Sequence, residues 1–167
     1  MITIAIDPSG NYQEGKGHTG IACMLNEDPR TIATKSINAK TYDDRASYWQ
    51  EVLNCIKNVH EGGQKLQVVI EAYVMRANGF TIGKMPETAM LIGVLVFYCE
   101  QHDIPYYIQQ PSQAKARFKD ELLLKYIPDL EMRDTGKFYL RGKLTNDHER
   151  DALKHLLFFK KYKEFKV

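Results

Sequence analysis

The spacing of apolar residues changes near residue 40, and this change limits the possible folds more than any other feature. Before it, three segments have the β-branched, alternating character of strands: Ile2–Ile6, Gly20–Leu25 and Arg30–Ala39. Short connections rich in Gly and Pro join them. Three consecutive strands with such connections predict an antiparallel meander.

After the change, helical and strand patterns alternate. The pattern predicts helices from Asp43 or Asp44 to about His60, from Pro86 to about Gln101, over Ser112–Tyr126, and from Asn146 to about Lys161. Between them, Leu66–Ala72 has the apolar composition of a strand buried on both faces, and Pro105–Gln109 is a further strand. The order β-β-β-α-β-α-β-α-α therefore predicts an α/β fold in one domain spanning residues 1–167. Its mixed sheet combines the three-stranded antiparallel meander with two parallel strands and is flanked by helices. This order is characteristic of RNase H-like folds.

Composition excludes several classes of protein. Three scattered cysteines form no Cys-x-x-Cys pair, which argues against a disulfide framework or a thiolate metal site and favours the cytoplasm. The longest apolar run, Met90–Cys99, is about half of the ~20 residues that a membrane helix needs. The net charge is +2, and the basic excess lies after residue 100, where it would attract a polyanion.

Three acidic residues stand at positions that suggest chemistry. Asp7 ends the first strand, Glu71 ends the buried fourth strand, and Asp151 lies in the first turns of the last helix. A carboxylate at one strand end is often only a charge that reaches solvent. Two on neighbouring strands repel each other unless a cation lies between them. Because Mg²⁺ and Mn²⁺ take oxygen ligands, the pattern predicts a two-metal phosphodiesterase site.

The last helix offers two further candidate ligands. His148 and Asp151 are three residues apart, and Asp147 and Asp151 are four apart, so either pair shares a helix face. Glu149 and Arg150 project elsewhere and are expected to be a solvated pair. The sequence lacks a phosphate-binding Gly-x-x-x-x-Gly-Lys-Ser/Thr loop, and Ala152 stands where a zinc-protease motif beginning at His148 would need its second histidine.

Four short blocks resemble the RuvC-type Holliday junction resolvases, particularly those encoded by phages. They are Ile4-Ala5-Ile6-Asp7-Pro8-Ser9 with Thr19-Gly20, Val69-Ile70-Glu71 with Tyr73, Gln110-Pro111-Ser112-Gln113-Ala114-Lys115, and the segment from Asn146 to Leu153. They occur in the family's order and extend over nearly the whole chain. Two departures are a longer loop from Gly10 to His18 and extra residues between Met75 and Glu87.

The resemblance implies a homodimeric, Mg²⁺- or Mn²⁺-dependent endonuclease that nicks branched DNA and leaves 5′-phosphates. It implies Asp7, Glu71, His148 and Asp151 as catalytic metal ligands, with Asp147 as an uncertain fifth. The apolar helix Glu87–Gln101 is the expected dimer interface, because it is apolar on more faces than one core requires. The other reading of that helix is a fully buried central element.

Candidate DNA contacts come from residues outside the carboxylate set. Lys115, Arg117 and Lys119 are candidates for phosphate contacts, although they equally fit a solvated helix face, and Tyr73 is a candidate for stacking on bases. Two other functions remain open: an RNA–DNA hybrid nuclease of the same fold, and a junction-binding module without catalysis. The retained carboxylates argue against the latter, since a binder gains nothing from negative charge that faces phosphates.

Overall fold

A five-stranded mixed sheet forms the centre of the protein. The structure, a computed structural model, describes residues 1–13, 15–74 and 86–162. The strands are β1 (Ile2–Asp7), β2 (His18–Leu25), β3 (Ala33–Asn38), β4 (Leu66–Glu71) and β5 (Tyr106–Gln109). Their order in the sheet is β3-β2-β1-β4-β5. The first three strands are antiparallel, and β4 and β5 run parallel to β1, as the sequence predicts.

Helices cover both faces of the sheet. They are α1 (Arg45–Glu61), α2 (Glu87–Gln101), α3 (Pro111–Arg117), α4 (Asp120–Tyr126) and α5 (Asp147–Tyr162). Side chains of β1 alternate between two cores: Ile4 and Ile6 pack with α1 and α2, whereas Ala5 packs with the helices that follow β5. The mixed α/β architecture, an RNase H-like sheet flanked by helices, is therefore confirmed.

The predicted helix Ser112–Tyr126 is two helices. α3 ends before Phe118, whose backbone is extended (φ −121°, ψ 93°) and whose ring is buried in the core beside α5. α4 then begins at Asp120, whose carboxylate pairs with Arg150 and Lys154 of α5. Burial of Phe118 and these ion pairs outweigh the helical propensity of a continuous segment.

Two other boundaries differ from the predicted ones. β3 begins at Ala33 rather than Arg30, because Pro29–Thr31 form a 3₁₀ turn capped by the Asp28 side chain. Residues 128–145, predicted as irregular with a short hairpin around Phe138–Leu140, contain a small antiparallel sheet. Its strands are β6 (Leu130–Met132), β7 (Phe138–Leu140) and β8 (Lys143–Leu144).

The start of α5 lies directly against β2. A Cβ atom at Gly20 would overlap the backbone carbonyl of His148, so only glycine permits this approach. The same helix packs across β1 and β4. This close packing brings the first turns of α5 to the edge of the sheet where β1 and β4 end.

Within the described ranges, each helix is too short or too polar to cross a membrane.

Candidate active site

Asp7 and Glu71 end two neighbouring parallel strands. β1 and β4 pair in register, with Ile6 opposite Ile70, so the next residue of each strand is one of the two acids. Asp7 is buried, and the Glu71 side chain is only 12% exposed. The sheet therefore places two carboxylates side by side in surroundings that contain little water.

α5 supplies the third carboxylate and an imidazole. The helix begins with a capping box: the Asn146 side chain accepts from the backbone N–H of Glu149, and the Glu149 carboxylate accepts from that of Asn146. His148 Nδ1 then lies 2.9 Å from Asp7 Oδ2. Asp151, three residues on, reaches the same cluster through Lys115.

Lys115 lies among the carboxylates. Its Nζ is 3.0 Å from Glu71 Oε2, 3.1 Å from Glu71 Oε1 and 2.7 Å from Asp151 Oδ2. Lys154 also contacts Asp151, at 2.8 Å, and is shared with Asp120 at 2.6 Å. The positive charge of Lys115 thus lies between Glu71 of β4 and Asp151 of α5.

Burial and neighbouring charges shift the protonation of these groups. Burial raises the pKa of Asp7, the nearby Glu71 charge raises it further, and the hydrogen bond with His148 only partly offsets both. The bond to Asp7 raises the pKa of His148. These two shifts favour a proton shared within the His148–Asp7 pair.

The pKa values of the other two carboxylates, Glu71 and Asp151, are shifted in the opposite direction. Burial would raise the pKa of Glu71, but His155 and Lys115 hold it below its usual value. Burial likewise opposes ionisation of Asp151, and Lys115 and Lys154 outweigh it, so its pKa is lowered. The surrounding carboxylates raise the pKa of Lys115 to about 12 despite its desolvation. The site therefore holds ionised Glu71 and Asp151 with a charged Lys115.

The structure does not bring Asp147 into this cluster. Its side chain is 89% exposed and pairs with Arg150. Residues four apart on a helix share a face only approximately. The packing of α5 turns His148 rather than Asp147 toward Asp7. Asp147 is also not the residue that caps α5, since Asn146 does so.

The candidate DNA contacts divide into two groups. Arg117 and Lys119 are exposed, and Tyr73, two residues after Glu71, is 41% exposed. Lys115 instead faces the carboxylates from the same helix as Arg117. Its ammonium is thus committed to Glu71 and Asp151.

Sequence reasoning missed several residues that contact the cluster. His155 is fully buried, and its Nε2 lies 2.7 Å from Glu71 Oε2. The spacing of His148, Asp151 and His155 is i, i+3, i+7, which is one helical stripe and was a readable signal. His18 stacks on His148 with ring centroids 5.1 Å apart, and no local pattern indicated it.

The prediction that Glu149 and Arg150 form a solvated pair is wrong. Glu149 is 2% exposed and completes the capping box, and the Arg150 side chain is 12% exposed against Asp120. Both side chains hold the start of α5 in place. The prediction considered only the side of the helix that faces Asp7, and α5 packs on more than one side.

The donor set fits a hard divalent cation. Asp7, Glu71 and Asp151 supply carboxylate oxygens, which suit Mg²⁺ and Mn²⁺, and His148 supplies an imidazole. In the described part of the chain, no three His, Cys, Asp or Glu side chains converge on one point, because Glu71 and Asp151 are turned toward lysines. Lys115, a cation held by two of the three acids, marks where positive charge is favoured.

Structural comparison relates nearly the whole chain to solved structures of RuvC. The structure of T. thermophilus RuvC in complex with Holliday junction substrate matches with a TM-score of 0.67 and 15% sequence identity, over 99% of this chain and 98% of that chain. The fold is that of RuvC. A second Thermus thermophilus RuvC structure matches with a TM-score of 0.63 at 15% identity, over 99% of both chains. No protein-family model matches the sequence, and neither does any curated protein.

Proposed function

We propose that this chain is a structure-selective DNA endonuclease, which resolves Holliday junctions and other branched DNA by hydrolysing phosphodiester bonds to leave 5′-phosphates. The observation that carries the proposal is the meeting of Asp7 and Glu71, at adjoining strand ends, with His148 and Asp151 of α5. The RuvC fold over nearly the whole chain supports it, and one of the matching structures holds a Holliday junction. In this proposal residues 1–167 form a single nuclease domain that acts in the cytoplasm.

The residues that would hold Mg²⁺ or Mn²⁺ are Asp7, Glu71, Asp151 and His148. Asp147 is left out because its side chain points to solvent. Two divalent ions held there would supply an activated water and stabilisation of the leaving 3′-oxygen. The chain itself orients Asp7 and Glu71, because both lie at the ends of paired strands, and it keeps both side chains largely out of water.

His148 is placed to handle a proton. Its Nδ1 bonds to Asp7, which orients the ring, and its side chain is 41% exposed on the open side of the cluster. Among the described residues, its Nε2 has no hydrogen-bond partner, and the ring stacks on that of His18. In the proposed reaction this nitrogen has one of two roles: it ligates a divalent ion, or it accepts the proton of the attacking water.

DNA would approach over α3 and the end of β4. Arg117 and Lys119 offer exposed charges for phosphates, and Tyr73 offers an exposed ring for stacking on unpaired bases. If Glu71 and Asp151 held a divalent ion, the Lys115 ammonium would be available to a phosphate. Binding through phosphates would weaken with added salt.

The proposed homodimer forms through α2. Leu91 and Leu95 of this helix are buried in the core, whereas Val94 and Phe97 are exposed, Phe97 by 60%. An exposed apolar pair on a helix whose other side is buried favours a partner surface, and two nicks in one junction need two active sites. Light scattering should show a dimer at micromolar concentration that Phe97→Ser converts to monomer; a monomeric unaltered protein contradicts this part of the proposal.

The deciding experiment offers the protein a four-way junction, a three-way junction, a flap, an RNA–DNA hybrid and linear duplex DNA, each with Mg²⁺, Mn²⁺ or excess chelator. We expect nicking of branched DNA only with a divalent ion. Preferred cleavage of the hybrid would instead identify an RNA–DNA hybrid nuclease. Binding without cleavage in either metal would identify a junction-binding module.

Asp7→Asn is the matched control for that assay. It keeps the shape of the side chain and removes the negative charge. We expect loss of cleavage with junction binding retained or tightened, because a charge near the phosphates is removed. Loss of binding in parallel with cleavage, in a folded variant, would contradict the proposed division between metal-holding and DNA-binding residues.

A further inference from the structure

His155 lies one helical turn beyond Asp151 and is fully buried. Its Nε2 lies 2.7 Å from Glu71 Oε2 and its Nδ1 lies 2.8 Å from Gln109 Oε1. Because an ionised carboxylate can only accept hydrogen bonds, the Nε2 of His155 donates to Glu71. The imidazole is therefore held at both nitrogens.

The second partner, Gln109, ties the ring to the sheet. Gln109 ends β5 beside Glu71 in β4, is buried, and accepts at its backbone oxygen from Ala72 N at 2.8 Å. A glutamine amide carries both an acceptor and a donor, so it can satisfy Nδ1 whether or not that nitrogen holds a hydrogen. The chain Gln109–His155–Glu71 thus joins two adjacent strand ends through one helix residue.

Packing alone does not account for this chain of contacts. The neighbours of His155 on α5 include Leu153, Leu156 and Leu157, which are buried in the apolar core. An apolar residue at 155 would fill the same position without the cost of burying an imidazole and an amide. What the imidazole adds is a fixed orientation of the Glu71 carboxylate.

That orientation separates the roles of the two Glu71 oxygens. Oε2 receives His155, while the Lys115 ammonium lies within hydrogen-bond distance of both oxygens. Among the described residues, Oε1 has only Lys115 as a hydrogen-bond partner. Without His155 the carboxylate could rotate and place either oxygen toward the cation.

We propose that His155 is a positioning residue, which holds Oε2 of Glu71 so that Oε1 is presented to the cation of the site. The inference rests on the proposed function in one respect, that the cation of the working enzyme is divalent. Hydrogen-bond partners of metal ligands typically change metal affinity by 10–100-fold when they are removed. A role in filling the core would affect stability but not metal affinity.

Two substitutions at this position form a matched pair. In His155→Gln the amide nitrogen lies about where Nε2 lies and can still donate to Glu71; in His155→Asn the shorter side chain retains a group near Nδ1 and cannot reach Glu71. Mn²⁺ binding is measured by calorimetry at one pH without DNA, together with the melting temperature. We expect His155→Asn to bind Mn²⁺ at least about tenfold more weakly, and His155→Gln to remain within about threefold of the unaltered protein.

The outcomes separate this inference from the proposed function. Equal Mn²⁺ affinity of His155→Asn and the unaltered protein overturns it, as does equal weakening in both variants. If His155→Asn does not fold, Gln109→Met, which frees the ring at Nδ1, must weaken Mn²⁺ binding or the inference is wrong. A protein that shows the expected Mn²⁺ pattern but cuts no branched DNA overturns the proposed function alone, and no Mn²⁺ binding by the unaltered protein overturns both.

Discussion

Lys115 Nζ lies 2.7 Å from Asp151 Oδ2 while it also contacts Glu71, so one ammonium links a residue of α5 to the end of β4. A cation held by two acids contributes to stability when no metal is bound. It also competes with any metal ion that needs the same oxygens. The two effects have opposite consequences for a variant that lacks the charge.

We therefore expect Lys115→Met to lower the free energy of unfolding by about 1–2 kcal/mol without metal, a value discounted because the side chain is 33% exposed. Added Mn²⁺ should raise the melting temperature of the variant more than that of the unaltered protein, since the ion meets no competing ammonium. Thermal unfolding across a Mn²⁺ titration measures both. Lys119→Met, an exposed lysine beyond the same helix, is the control and should change neither quantity; a smaller metal response in Lys115→Met contradicts the expectation.

Substitutions of His148 and Asp147 distinguish a side chain of the candidate site from a surface charge at the start of α5. We expect His148→Ala to reduce turnover strongly and to change the preference between Mn²⁺ and Mg²⁺, because imidazole suits Mn²⁺ better. Asp147→Ala should leave turnover nearly unchanged, since its carboxylate lies in solvent beside Arg150. Cleavage rates of both variants in each metal decide the matter, and an inactive Asp147→Ala beside an active His148→Ala would reverse the assignment.

The cap of α5 gives a separate stability measurement. Asn146→Ala removes the side chain that accepts from Glu149 N–H and should cost about 1 kcal/mol. Asp147→Ala should cost much less, because Asp147 is not the cap. Urea unfolding of the two variants distinguishes them.

Gly20 controls the distance between β2 and α5. Gly20→Ala puts a methyl group into the backbone of His148 and must push the helix outward, which we expect to cost about 1–3 kcal/mol or more. Turnover should fall further than the loss of stability explains, because His148 and Asp151 move with the helix. Gly93→Ala in α2, which meets no described atom within 4 Å, should be neutral or slightly stabilising. Full turnover in a folded Gly20→Ala protein would show that the site tolerates displacement of α5.

We expect a pH-dependent contribution to stability from Asp120, a carboxylate that is not itself a proposed metal ligand. Burial would raise its pKa, but Lys154 and Arg150 outweigh burial and lower it from 3.8. A lowered pKa in the folded state means that the stabilisation is present above 3.8 and is lost as the pH falls through the lower, folded value.

The test compares the unaltered protein with Asp120→Asn from neutral to acidic pH. At neutral pH the variant should be less stable by about 1 kcal/mol, since the pair is partly exposed, and the difference should shrink as the pH falls below 3.8. Glu121→Gln, exposed on the same helix, should show no such convergence. A difference that stays constant into strong acid contradicts the role of the Asp120 charge.

The sequence by itself determined the sheet and most of the candidate site. Alternation in Ile2–Ile6, the apolar run that ends in Glu71, and the three-residue spacing of His148 and Asp151 each depend on one element, and the periods of strands and helices are enough to read them. The parallel pairing of β1 with β4 then follows from the order of elements, and it places Asp7 beside Glu71.

Only the tertiary structure decided which residues from other elements lie opposite these side chains. Helical spacing allows both Asp147 and His148 to approach Asp7, and the contact of α5 with Gly20 selects His148. Lys115 and His155 contact Glu71 from two different helices and lie 44 and 84 residues after it in the sequence. Local periodicity carries no information about such pairs, because their distances depend on how α3 and α5 pack on the sheet.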